Sequence, residues 1–287
     1  MLIGAFAYVI GRDHESRGQP CQDRVICRTN IDGSQSSLVL CDGAGSCFRS
    51  ELGAQDLCNW FPNWVDGETD FWLLPPAELV MRASKEITIR LEALATEVGC
   101  TTHDLSSTFM AVVVRQLPES LDYRILHLGD GIVAGIGSDS RVILSAPENG
   151  EFANETVFTT SSRFSESLRV LAGQLPRGSG FVAMSDGSGA SLYLKARQAL
   201  APAIAEMLSW LNGHESQTVS MAIEQNLREL LCAKTGDDCS LGLLLDREPS
   251  RPFTVELLHP QPEKLQPRAK TKSSRKRRIK GSRRRKK

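Results

Sequence analysis

The chain has no close CxxC pair among its eight cysteines, and its five histidines are scattered. That spacing excludes the common zinc frameworks. A chain of 287 residues with 41% hydrophobic content has no need of a disulfide scaffold. No apolar run approaches the length of a membrane span, so no transmembrane segment is expected. The N-terminal MLIGAFAYVIGRD lacks a basic flank, and its apolar stretch is only about ten residues. A strand is expected there rather than a signal peptide. No Pro/Gly/Ser-rich linker divides the middle, and no internal repeat stands out. These absences predict one large domain in a reducing, cytoplasmic setting.

The formal net charge of zero conceals two opposed regions. Residues 1–262 carry 20 Lys/Arg against 33 Asp/Glu, a net of −13; residues 263–287 carry 14 Lys/Arg and only Glu263, a net of +13. The expected division is a domain over 1–250 and a flexible Lys/Arg-rich tail over 251–287. KTKSSRKRRIKGSRRRKK is almost free of apolar residues and cannot offset the entropy of forming a core, so disorder is expected. Counterion release lets residues 264–287 make nonspecific contact with nucleic acid, a ribosome or an acidic protein. The tail has no aromatic residue for base stacking, which argues against sequence-selective reading.

Strands are predicted over residues 2–10 and in RVICRT, SSLVLC, STFMAVVV, YRILHLG, GIVAGIG, RVILSA, GFVAMS and CSLGLLL. Helices are predicted over 46–59, 77–98, 163–174, 190–211 (interrupted at Pro202) and 217–233. Residues 11–23 and 60–75 read as loops, the latter a docking segment through FPNWV and FWLLPP. Strands, helices, strands, helices and a final strand imply an α+β domain with sheets covered by helices.

What stands out on this frame is acid at strand ends. Asp42 in VLCDGAGS, Asp130 in LHLGDGIV and Asp186 in AMSDGSG each follow an apolar run and precede a glycine. Asp237 in KTGDDCSL precedes a final strand, and Asp23 in QPCQDRV is a fifth member. Carboxylate, carbonyl and water oxygens suit magnesium and manganese. A bound cation removes the repulsion that clustered carboxylates would otherwise suffer.

The ordered pieces CQDR, VLCDGAGS, SSTFMAVVV, ILHLGDGIV, FVAMSDGSG and GDDCSLGLLL resemble the PP2C-type, metal-dependent serine/threonine protein phosphatases of the PPM family. NGEFANETVF resembles a bacterial branch of that family. The resemblance spans about residues 4–246. It implies a four-layer α-β-β-α sandwich, with a dinuclear centre at one edge of the two sheets. It implies hydrolysis of phosphoserine and phosphothreonine in protein substrates by a metal-activated hydroxide, with no phosphoenzyme. By the same resemblance, Asp23, Asp42, Asp186 and Asp237 are metal ligands, and Asp42 bridges two Mn²⁺ or Mg²⁺ ions. Gly43 lends its carbonyl, Asp130 joins Asp186 at a possible third ion, and Thr108 is structural support. Asp238 stands where the family often has Asn.

Two departures from the family pattern fall in the first loop. Gln22 replaces a glutamate that often precedes the first aspartate. Gly18 stands where a phosphate-binding arginine often lies. Arg17, Arg12 and His14 are the candidates for that role; arginine offers bidentate geometry, and His14 could instead act as general acid to the leaving alkoxide. Those departures leave open a catalytically weak, phosphatase-like binding or sensing module. The tail leaves open a metal hydrolase acting on nucleotides or nucleic acid.

Overall fold

The computed structural model describes residues 1–137, 141–147 and 156–247. The elements run β1 (Leu2–Val9), α1 (Arg12–Ser16), β2 (Arg24–Thr29), β3 (Gln35–Cys41), α2 (Ser50–Gly67), α3 (Pro76–Val98), β4 (Phe109–Gln116), β5 (Ser120–Leu128), β6 (Ile132–Ile136) and β7 (Arg141–Ser145). They continue with α4 (Phe164–Ser167), β8 (Arg169–Pro176), β9 (Gly180–Met184), α5 (Asp186–Leu192), β10 (Tyr193–Leu194), β11 (Ala199–Leu200), α6 (Pro202–Gly213), α7 (Ser216–Asn226) and β12 (Cys239–Asp246).

Two five-stranded antiparallel sheets form the centre, ordered β1-β12-β9-β6-β7 and β2-β3-β4-β5-β8. Alternation along β3 shows the layering. Leu38 and Leu40 face the other sheet with Met110, Val112, Phe181 and Leu244. Val39 and Cys41 face a second cluster with Leu57 and Phe61 of α2 and Ile87 and Leu91 of α3. The first sheet packs its outer face, through Ala5, Val182 and Leu243, on Ile204 and Leu208 of α6 and Ile223 of α7. Central strands are therefore covered on both faces, which is why β4, β6, β9 and β12 read as nearly continuous apolar runs. This is the expected four-layer sandwich.

Local signals explain several boundaries. Pro76 opens α3 at its first helical position, and Gly99 closes it with a left-handed φ of 67°. The predicted loop 60–75 is a helix as far as Gly67, with Pro62 inside it. An internal proline costs about 3 kcal/mol, but burial of Phe61 and Val65 contributes roughly 2 kcal/mol each. Both are buried, and the Phe61 ring meets Phe109 at 5.0 Å between centroids, so packing carries the helix across the proline.

Three other expectations need correction. Residues 163–174 hold one helical turn and then β8, an edge strand paired with β5; one solvated face gave it a mixed pattern. Of 190–211, only 202–213 forms the long helix, since Pro202 starts it rather than interrupts it. The first-loop segment contains a helical turn, α1. The basic tail, the 250/251 boundary and most of NGEFANETVF lie outside the described residues.

Candidate active site

All five predicted acids sit at one end of the two sheets. Asp42 follows β3 directly, and Asp23 precedes β2, whose Arg24 pairs with Cys41. Asp130 lies in the turn from β5 to β6, Asp186 opens α5 after β9, and Asp237 precedes β12.

The backbone there is tightly held. Asp42 N–H donates to Thr108 Oγ1 at 2.9 Å, and Thr108 N–H donates to the Asp42 carbonyl at 2.8 Å. Gly43 N–H donates to the Gln22 carbonyl at 3.2 Å, bringing the first loop against the Asp42 turn. Ser185 N–H donates to the Ser240 carbonyl, and Ser240 N–H to Ser185 Oγ, which ties the Asp186 turn to β12. A methyl group built on Gly187 would lie 2.0 Å from the Asp238 carbonyl, so the residue after Asp186 has no room for a side chain. Gly129, before Asp130, takes a φ of 110°, beyond the ordinary reach of L side chains. Thr108 supports Asp42, as expected.

The electrostatics are those of crowded anions. Burial, and then the neighbouring Asp238 charge, pushes the Asp23 carboxyl up to about 7. Burial raises Asp42 well above its ordinary range, with further contributions from Asp23, Asp186 and Asp237. Asp186 is raised by burial and then by Asp130 and Asp237, and Asp237 is also raised, chiefly by burial. Asp130 accepts a 2.6 Å hydrogen bond from Thr156 Oγ1.

Among the described residues, no three Asp, Glu, His or Cys side chains close into a ready cage for one ion. The carboxylates are electrostatic neighbours rather than a closed shell. Their chemistry nevertheless fits a hard divalent cation. Asp23 is 1% exposed, and neither of its oxygens has a hydrogen-bond partner, although Ser185 and Ser240 lie beside it. A buried, unpartnered carboxylate among other carboxylates is stable only if a cation joins it or a proton neutralises it.

The first loop separates the three candidates for the phosphate role. His14 is 7% exposed, and its Nδ1 lies 3.0 Å from Asp238 Oδ2. Arg17 ends α1 on the exposed surface, and among the described residues its side chain has no ion pair or hydrogen bond. Arg12 reaches the Thr235 carbonyl at 3.4 Å. The sequence pattern gave Asp238 no role of its own. Its signal was present in the Asp-Asp pair, where the family's frequent Asn is likewise a side-chain acceptor.

The sequence profile of protein phosphatase 2C matches residues 10–232. Solved structures agree in fold. Serine/threonine phosphatase Stp1 from Staphylococcus aureus superposes with a TM-score of 0.57 at 16% identity, covering 87% of this chain and 96% of that one. The catalytic domain of the serine/threonine phosphatase PstP, solved with two manganese ions, gives 0.55 at 14% identity, covering 85% and 97%. The Mycobacterium tuberculosis phosphatase PstP/Ppp gives 0.54 at 12% identity, covering 86% and 99%. No curated protein matches the chain in sequence. The two-sheet sandwich is the fold that this chain shares with those solved phosphatases. The chain belongs to the protein phosphatase 2C family. It is a serine/threonine protein phosphatase, acting on phosphorylated proteins. The binding-module reading is not favoured. Among the described residues, no helix is long and apolar enough to cross a membrane.

Proposed function

We propose that Asp23, Asp42, Asp186 and Asp237 hold two Mn²⁺ or Mg²⁺ ions at this end of the sandwich, with the Gly43 carbonyl as a further donor. The observation that carries the assignment is the buried Asp23 carboxylate with two unpartnered oxygens beside Asp42. Asp130 serves with Asp186 at a third, weaker position. Bound ions would offset the phosphate charge and lower the pKa of the attacking water. The chain's own groups fix the geometry around that chemistry. Thr108 holds the Asp42 turn, Ser185 and Ser240 hold the Asp186 turn against β12, and His14 presents an imidazole from α1. Arg17, exposed at the end of α1, meets the phosphoprotein at the rim rather than in the buried cluster.

Phosphate release from a phosphoserine or phosphothreonine peptide tests this assignment. Activity should require Mn²⁺ or Mg²⁺ and vanish on chelation. Asp42→Ala and Asp186→Ala should each lose more than about 1,000-fold in kcat/KM, since each removes a metal contact from the reacting centre. Wild-type turnover by both variants would remove these residues from the site. The eight unpaired cysteines support a reducing, cytoplasmic setting. The Lys/Arg-rich stretch 264–287 is proposed as an accessory contact for nucleic acid, a ribosome or acidic proteins. Comparing peptide turnover and salt-dependent polyanion binding in the full chain and in residues 1–262 separates that role from catalysis.

A further inference from the structure

The loop from β3 to α2 carries Asp42 and Gly43, and further along it carries Phe48. The Phe48 side chain is 81% exposed. A single exposed apolar residue is ordinary on a protein surface. Ile31 is one, in the turn between β2 and β3, at the sheet end away from the acids. Phe48 differs from it in place and in support.

Its place is the rim of the acid-lined end. The chain turns back between Ala44 and Cys47, whose N–H donates to the Ala44 carbonyl at 2.8 Å. Gly45, Ser46 and Phe48 are exposed there. A methyl group built on Gly45 would lie 3.8 Å from His14 Nε2 and 3.9 Å from Gln22 Oε1, so this turn sits against the first loop beside Asp42. Its support comes from both sides. Asp238 accepts the Gly11 and Gln22 N–H groups at 2.6 Å each, which closes the first loop. Gln22 Nε2 then donates to the Cys47 carbonyl at 3.4 Å. On the far side, Arg49 N–H donates to the Asp104 carbonyl at 3.1 Å, and the Arg49 guanidinium donates to the Val98 carbonyl at 2.7 Å. That guanidinium lies 5.9 Å from the centre of the Phe48 ring. A ring with both backbone neighbours tied down offers apolar area at little ordering cost when something covers it.

What covers it is the substrate. The chain acts on phosphorylated proteins, and a phosphoserine delivered to the Asp42 turn carries its neighbouring residues across this rim. An extended peptide advances about 3.3 Å per residue, so three residues reach about 10 Å from the phosphorylated one. We propose that Phe48 determines specificity: its ring packs on an apolar side chain within about three residues of the phosphoserine or phosphothreonine. The inference rests on the phosphatase reading above.

The test uses phosphoserine peptides with alanine at every flanking position, and a set in which one alanine at a time becomes leucine. With saturating Mn²⁺, the wild type should favour at least one leucine peptide over the all-alanine parent by about tenfold in kcat/KM, the lower end of what an apolar contact discriminates. Phe48→Ala should shrink that preference below about twofold, with the loss falling on KM rather than kcat. Phe48→Tyr keeps the ring and should keep the preference. Each preference is a ratio measured within one variant, so the folded fraction does not affect it. A wild type that turns over all the peptides equally, a preference that survives Phe48→Ala, or one that is lost in Phe48→Tyr would overturn the proposal while leaving the phosphatase reading intact. A wild type inert on every peptide and on p-nitrophenyl phosphate would remove that reading and the inference together.

Discussion

The two ends of β12 treat a buried carboxylate in opposite ways. At its start, Asp23 lies beside Asp238, 1% exposed, with the Ser185 and Ser240 hydroxyls and the Asp42 carboxyl near it but none aligned as a hydrogen bond to either oxygen. At its end, Asp246 is 2% exposed and surrounded by donors. Arg177 reaches it through two nitrogens, Gly178 N–H donates at 3.0 Å, and Gln116 and the Met1 ammonium complete the shell. Burial alone would raise the Asp246 carboxyl, but these donors outweigh it and hold it at about 2. Burial and a like charge push Asp23 the other way, to about 7. The two are alike in surface exposure, but Asp23 lies deeper in the protein and Asp246 has positive charge beside it, and both differences drive their carboxyls apart. Where the protein brings its own cation and donors, the carboxylate is structural. Where several carboxylates meet without one, their crowding suits a cation from outside.

That contrast can be broken most directly at Asp246. Asp246→Ala should lose about 3 kcal/mol in urea denaturation, since it leaves Arg177 and the Gly178 amide without their shared acceptor. Turnover per folded molecule should not change. A loss below about 0.5 kcal/mol would mean that the network is ornamental. The acid range sharpens the same point. Asp246 has a folded value below its ordinary one, so its stabilisation is complete above about pH 3.8 and is lost as pH falls through about 2.

His127 gives a second, oppositely charged comparison and a somewhat smaller effect. It is fully buried, with Nδ1 at 2.6 Å from Ser145 Oγ and 3.2 Å from Arg169. Burial, and then the Arg169 charge, lowers it to about 3. The unfolded chain takes up the proton near pH 6.5 while the native state refuses it, so stability falls as pH drops below 6.5. The expected loss is about 2 kcal/mol by pH 5. His127→Gln should flatten the slope of unfolding free energy between pH 6.5 and 4; an unchanged slope would exclude His127 as its source.

The smallest effect tests the acid cluster itself. In metal-free protein, Asp23→Asn should raise stability by about 1 kcal/mol, because it removes one of several repelling charges. In saturating Mn²⁺ the order should reverse, with wild type the more stable. Destabilisation in both conditions would mean that Asp23 is an ordinary structural acid.

Much of this was legible before any coordinates. The apolar runs at 38–41, 109–114, 181–184 and 241–245 are buried strands, and acids at the mouths of such runs meet at one sheet end. The misreadings share a cause. β8 has one solvated face, and its pattern alone does not separate it from a weak helix; pairing with β5 decides it. Pro62 and Pro202 are the same residue type in opposite roles, and only the packing of Phe61 and Val65 explains why α2 continues through the first. Arg17 and His14 looked interchangeable in a polar loop, yet α1 buries one and exposes the other.

The amino-acid sequence by itself determined the strand cores, the five acids at their ends, the family and the split between an acidic body and a basic terminus. Each depends on residue type and local period, which chain order records directly. Only the tertiary structure decided that Asp238 closes the first loop, that His14 turns toward the Asp42 turn, and that Asp23 and Asp246 have opposite electrostatic fates. Those outcomes depend on contacts such as Asp238 with Gly11, 227 residues apart in the chain, which no local pattern encodes.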